Sequence, residues 1–140
     1  MTNEENIVKS LMYDNDPFSQ WLGIEVLKVE KGYVELQMTI REDMCNGFGI
    51  AHGGITYALA DSALAFAANS HGIQSLSIET SINHLKPIKP GESIKATTTL
   101  INETNKTALY SIDIYCGDKK VAYFKGLVYK TGKLWPTDTQ

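Results

Sequence analysis

The segment Asn46-Gly47-Phe48-Gly49-Ile50-Ala51-His52-Gly53-Gly54-Ile55-Thr56-Tyr57-Ala58-Leu59-Ala60-Asp61 passes from a glycine-punctuated loop into an alanine-rich run. Asn46-Gly47 and Gly49 are turn signals, so residues 41–51 read as a loop. A helix is predicted from about Gly53 to Ser70, with Gly72 as its closing glycine. Ala58, Ala60, Ala63, Ala65, Ala67 and Ala68 allow close backbone approach, and Ile55, Leu59 and Phe66 supply bulk. The run is apolar on nearly every side, which marks a buried helix.

Around this helix the chain reads mostly as strands. Ile24, Val26 and Val29 predict one strand. After a turn at Lys31-Gly32, Val34, Leu36, Met38 and Ile40 alternate with polar residues, the period of a half-buried strand. Beyond the helix, strands are expected over 76–85, 93–102, 107–116 and 120–129, with Gly117-Asp118 as a hairpin turn. Upstream, residues 3–13 read as helical, with Asn3 as a start and Glu4 and Glu5 in the first turn. Asp16-Pro17 reads as an N-cap followed by proline, opening a short helix that ends before Gly23. Sequential strands joined by short turns form an antiparallel sheet, and the long helix must cover one face of it.

A length of 140 residues fits one domain. Hydrophobic residues at 43% and charged residues at 21% are ordinary globular values, which exclude disorder, collagen and a coiled coil. The formal charge is −3 and the basic residues form no run, so no nucleic-acid partner is expected. The stretch from Ile50 to Asn69 contains Asp61 and few large apolar residues. Asp near a bilayer centre costs about 2.5–3.5 kcal/mol, so no membrane partner is expected. Cys45 and Cys116 form no CxxC and show no zinc spacing with the histidines, so no metal is expected. With no signal peptide, a cytoplasmic location is expected.

Chemistry concentrates at the helix start. The first helical N–H groups lack intrahelical partners, and Gly53 and Gly54 leave them open to a ligand. The pair is either an oxyanion hole or only a tight turn. Asp61 is a carboxylate in an alanine-rich helix. Burial of a charge is costly, so it either meets a partner on a strand or lines a pocket. Seven residues separate it from Gly54, so both point to about the same side of the helix. His52 is placed to bond the loop backbone, and His71 to serve the helix end. Lys86 and Lys89, beside Pro87 and Pro90, are either solvated or in contact with phosphates, with Lys125 a further candidate.

Asn46, His52-Gly53-Gly54 and Asp61, on a helix followed by four strands, resemble the hotdog-fold acyl-CoA thioesterases. The likeness is to the phenylacetic-acid degradation branch of the 4-hydroxybenzoyl-CoA-thioesterase-like superfamily. It covers most of the chain, including Met12-Tyr13-Asp14-Asn15-Asp16 before Leu22-Gly23-Ile24, and Ala63 to Ser70. His-Gly-Gly with Asp eight residues after the first glycine is fairly specific to this group. The resemblance implies a single α+β hotdog domain over residues 1–140, an antiparallel sheet wrapped around a long central helix. It implies hydrolysis of an aryl or medium-chain acyl-CoA to the free acid and coenzyme A, with no cofactor beyond the coenzyme A of the substrate.

The resemblance also implies roles. Asp61 is the catalytic carboxylate, as nucleophile or general base. The N–H of Gly53, with Gly54, polarises the thioester carbonyl. Asn46 orients substrate or water, His52 shapes the glycine loop, and Asn15 lies near the site. The assembly is a homodimer or homotetramer with active sites between subunits. Where some relatives place a water-binding hydroxyl one turn after the carboxylate, this chain has Ala65, leaving Asn46 or Asn69 for that task. Tyr57 and Phe66 are aromatic candidates for the acyl pocket.

Two other functions compete. A hotdog dehydratase or hydratase needs a histidine facing an acid across the substrate, and His84 is the residue to consider. A non-catalytic acyl-CoA-binding module is the other, since fold does not fix function. The strand over 76–85 has the character of an open edge, which proteins normally cover, and this too predicts a closed symmetric dimer or tetramer.

Overall fold

The computed structural model describes residues 1–137. Six strands form one antiparallel sheet in the order β1-β2-β4-β5-β6-β3. They are β1 (Glu25–Glu30), β2 (Tyr33–Thr39), β3 (Ile73–His84), β4 (Ser93–Glu103), β5 (Thr107–Cys116) and β6 (Lys119–Leu134). The long helix, α3 (Gly53–Asn69), packs across β2 to β6. This is the expected helix-on-sheet arrangement of an α+β hotdog.

The core lies between α3 and the inner face of the sheet. Leu59, Leu64 and Phe66 meet Val34, Leu36, Met38, Ile94, Tyr110, Ile112, Ile114 and Phe124, all essentially inaccessible. Close approach requires a small residue on β6. A Cβ at Gly126 would collide with the Leu64 side chain. The alternation read in β5 is observed, with Ala108, Tyr110, Ile112 and Ile114 buried.

Two helical pieces precede the sheet. Thr2, not Asn3, caps the first, α1 (Asn3–Glu5), in a capping box with Glu5. The chain then continues through a π-helical stretch (Asn6–Met12) and a 3-10 turn (Tyr13–Asn15). Asp16 caps α2 (Pro17–Leu22), accepting from the Ser19 N–H at 2.9 Å, and Gly23 ends it.

Some boundaries differ from the expectation. β3 begins at Ile73 and β6 continues to Leu134, because Ile73 pairs with Leu134 and Ser75 with Lys130. Polar residues on both sides hid that ladder from a hydrophobic pattern. α3 closes at Ser70, and Gly72 forms the next turn, its N–H donating to Asn69 O at 2.9 Å. β3 is an edge strand, as its position in the sheet order requires. Its register with β6 breaks between Ser77 and Glu79, and Leu76 and Ile78 stand exposed.

Candidate active site

The site is built at the start of α3. His52 is the N-cap, and its Nδ1 accepts the Gly54 N–H at 2.9 Å. Nδ1 therefore carries no proton. The Gly53 N–H has no acceptor among the described residues. One of the two glycine donors is thus taken by the cap and the other is open. A Cβ at Gly53 would stand 3.0 Å from His84 Nε2, so only glycine keeps this corner clear without a shift.

Gly53 borders a cavity of about 350 Å³ together with Asn46, Thr56, His84, Lys86 and Pro87. The Asn46 side-chain oxygen accepts from Phe48 N at 2.9 Å and Ile50 N at 3.5 Å, which fixes the glycine loop. Its amide nitrogen has no acceptor among the described residues. Lys86 borders an adjoining groove as well, with Lys89, Glu92, Cys116 and Lys119. Asn46, Gly53 and Lys86 thus border one cavity, and Lys89 borders the groove beside it.

Asp61 borders a different cavity, of about 130 Å³, with Leu64, Ala65, Ser75, Leu76, Ser77 and Val128. Its carboxylate has no hydrogen bond and no ion pair among the described residues. Burial alone raises its pKa above the ordinary carboxyl value. Gly54 and Asp61 lie seven residues apart, roughly 10 Å along the axis at 1.5 Å per residue. Within one chain they do not share a cavity, although the helical angle puts them on one side.

Other expected residues fall elsewhere. Asn15 is exposed, and its amide donates to Leu11 O at 3.1 Å. Tyr57 packs edge-on against Phe124, with 5.4 Å between ring centroids, and its hydroxyl bonds Thr80. Phe66 is 1% exposed in the core. Phe66 packs edge-on against Tyr13, with 6.4 Å between ring centroids, and neither aromatic borders the cavity of Gly53 or that of Asp61. Lys125 lies on the outer side of the sheet with Glu79 and Ser81, apart from Lys86 and Lys89. Asn69 is excluded as a water-holding group. Its oxygen accepts from Ser75 N and Trp135 Nε1, and its nitrogen donates to Ala65 O and Ser75 O.

Sequence reading missed Ser77 and Thr56. Ser77 pairs with Val128 and, although exposed, borders the cavity of Asp61. It supplies a hydroxyl where Ala65 lacks one. The bulge after Ser77 obscured its facing, and strand alternation alone does not reveal a bulge. His84 borders the Gly53 cavity, but no acidic residue borders that cavity with it. Among the described residues, no group of three or more His, Cys, Asp or Glu side chains is placed to hold a metal ion. No helix among them is long and apolar enough to cross a membrane.

Comparison with known proteins shows the family and the fold. The family model described as "Thioesterase superfamily" matches residues 48–123. Acyl-coenzyme A thioesterase PaaI of Escherichia coli is 34% identical over 122 residues, which cover 86% of this chain and 87% of that protein. Acyl-coenzyme A thioesterase 13 of Homo sapiens is 30% identical over 100 residues, covering 69% and 71%. The solved structure of the E. coli PaaI protein, from the phenylacetic acid degradation operon, superposes with a TM-score of 0.89. That match covers 94% of this chain and 96% of that one at 31% identity.

Proposed function

The chain belongs to the thioesterase superfamily and is a thioester hydrolase; from that premise we propose that it cleaves an aryl or medium-chain acyl-CoA to the free acid and coenzyme A. The open Gly53 N–H at the start of α3, beside a cavity that reaches Lys86, carries this reading. The donor sits where the helix dipole favours negative charge, so it stabilises the oxyanion formed from the thioester carbonyl. The Gly54 N–H, held by His52, keeps the loop in shape and joins the oxyanion hole only if that bond opens.

Few groups are needed because the leaving group is good. A thiol pKa near 8.5 lets the thiolate depart without a strong general acid. Asp61 supplies the other half of the chemistry. As nucleophile it forms a mixed anhydride that water then hydrolyses; as general base it takes a proton from the attacking water. Ser77 is placed to hold that water, and the free amide of Asn46 to bond the substrate.

Asp61 and Gly53 border separate cavities in one chain, and the open edge of β3 exposes Leu76 and Ile78. Both observations support a homodimer or homotetramer in which Asp61 of one subunit serves the Gly53 site of another. Sedimentation showing a stable, active monomer at micromolar concentration contradicts this assembly.

The decisive experiment follows free-thiol release across acyl-CoA substrates of different chain length and shape. Release is expected with at least one of them. Tight binding without release favours the binding module, and hydration of an enoyl-CoA without release favours the hydratase.

A further inference from the structure

The cavity at Gly53 has polar groups in its wall and no carboxylate. Asn46, Thr56, His84 and Lys86 border it with the open Gly53 N–H, and no Asp or Glu does. Thr56 is 2% exposed, and its hydroxyl has no hydrogen-bond partner among the described residues. Buried polar groups are normally paired, so a hydroxyl left open beside a cavity points to an occupant. The Asn46 amide nitrogen is open as well. Each unspent polar side chain of this wall is thus able to donate a hydrogen bond, and one of them is a cation. Such a wall favours an occupant on which negative charge develops.

His84 stands closest to the Gly53 corner. It ends β3, and the backbone there is fixed. His84 pairs with Ala122 of β6, and the N–H groups of Leu85 and Lys86 both donate to Val121 O, at 2.8 and 3.2 Å. The imidazole is exposed and has no hydrogen bond among the described residues. Its Nε2 and Cε1 lie 3.0 and 3.3 Å from the point that a Cβ on Gly53 would occupy, so the Nε2 edge faces the corner. A Cβ stands about 2.5 Å from its own backbone nitrogen, which puts Nε2 within about 5.5 Å of Gly53 N. Two donors that meet on one oxygen, each at about 2.9 Å, stand up to about 5.8 Å apart. The separation therefore fits a shared acceptor.

We propose that His84 is a further catalytic residue, whose Nε2–H joins the Gly53 N–H on the thioester carbonyl oxygen and stabilises the oxyanion. The proposal rests on the thioesterase reading. As the nucleophile attacks, the electron pair of the C=O π bond moves onto that oxygen, and both donors strengthen their bonds to it. His84 transfers no proton in this step. No acceptor among the described residues holds either ring nitrogen, so Nε2 is free to carry the hydrogen. In an acid–base role a neighbouring acid orients the ring, and none borders this cavity. A donor role needs no such partner. It also supplies the second donor that Gly54 withholds, since His52 Nδ1 already accepts the Gly54 N–H at 2.9 Å.

The test follows free-thiol release from acyl-CoA substrates by the native protein, His84→Phe and His84→Gln. Phe keeps a ring and loses the donor, whereas Gln keeps an N–H at similar reach. Loss of one oxyanion donor lowers kcat by about 10²–10³-fold in an enclosed site. This cavity is more open, so kcat is expected to fall at least about tenfold in His84→Phe and less in His84→Gln. KM is expected to stay near native, because the oxyanion forms only beyond the ground state. Calorimetric binding of an S-alkyl coenzyme A thioether, which has no carbonyl, is expected to be equal in all three proteins. A smaller fall in His84→Phe overturns the proposal and keeps the hydrolase reading. So does an equal fall in both variants, since an N–H restored at this place then restores nothing. A raised KM with weakened thioether binding puts His84 in ground-state binding and overturns the proposal too. No thiol release by the native protein removes the hydrolase reading and the proposal with it. Circular dichroism checks each fold, and His84→Leu is the donorless variant to use if His84→Phe does not fold.

Discussion

At the carboxyl end of α3, Asn69 spends both atoms of its amide in four hydrogen bonds with Ser75, Trp135 and Ala65. Ser70 likewise donates to Ala67 O at 2.7 Å and accepts from Gly32 N at 2.7 Å. At the amino end, the Gly53 N–H is open, the Asn46 amide nitrogen is unspent, and two turns on Asp61 stands alone. Both ends hold small polar residues next to glycine. The difference lies in Asn69 and Ser70, which spend their side chains on locking the helix to its surroundings, whereas Asn46, Gly53 and Asp61 keep polar groups open; His71 Nε2, just beyond the far end, is the exception there, buried without a partner among the described residues. Asn46, Gly53 and Asp61 are part-exposed, so a ligand can reach the groups they leave without partners.

Asp61→Asn breaks the open end. The amide keeps the shape and removes the charge, so turnover is expected to fall at least about a hundredfold, the lower bound for an acid–base group. Thiol release at near-native rate from a folded variant refutes the mechanism. Stability is expected to move the other way. Burial raises this carboxyl's pKa above 3.8 in the folded chain, so the folded state holds the proton to higher pH than the unfolded state. That contribution is complete below the unfolded value and is lost as pH rises through the folded one. The Tm of Asp61→Asn should therefore gain on the native Tm as pH is raised from about 4 to 7, in melts followed by circular dichroism.

Asn69→Ala breaks the closed end. Ser75 N–H and the Trp135 indole N–H lose their acceptor, and each stranded buried group costs about 1–3 kcal/mol. Denaturant titration is expected to show that loss, while thiol release per folded molecule stays near native. A fall in turnover with unchanged stability would make Asn69 part of the chemistry and erase the contrast between the ends.

The contrast also explains what the sequence discloses. Residue types and spacing are local properties, so α3, the β5–β6 hairpin and the His52-Gly53-Gly54 start were legible. Asp61 was legible as an oddity because an acid in an alanine-rich helix violates a local preference. Partners are not local. That Asn69 is spent and Asn46 is half spent depends on Ser75, Trp135 and the turn of the glycine loop. Ser77 depends on a register break, and His84 on how close the end of β3 comes to the start of α3. Tyr57 and Phe66, read as pocket aromatics, are taken up by packing, Tyr57 against Phe124 and Phe66 against Tyr13.

The smallest effect is expected at the rim of the open end. Lys86 borders the Gly53 cavity and, with Lys89 and Lys119, the adjoining groove of about 450 Å³. The net charge of −3 gives no general attraction for coenzyme phosphates, so local charge has to supply it. Lys86 and Lys89 are exposed, and exposed charge contacts are worth only about 0–1 kcal/mol and weaken with salt. The double substitution Lys86→Ala with Lys89→Ala is expected to raise KM a fewfold and leave kcat nearly unchanged, the sign of lost uniform binding. The penalty should shrink as ionic strength rises and vanish with a short pantetheine thioester, which lacks the nucleotide phosphates. An equal KM penalty on both substrates would mean that the lysines act through the shape of the Pro87–Pro90 bend and not through phosphate.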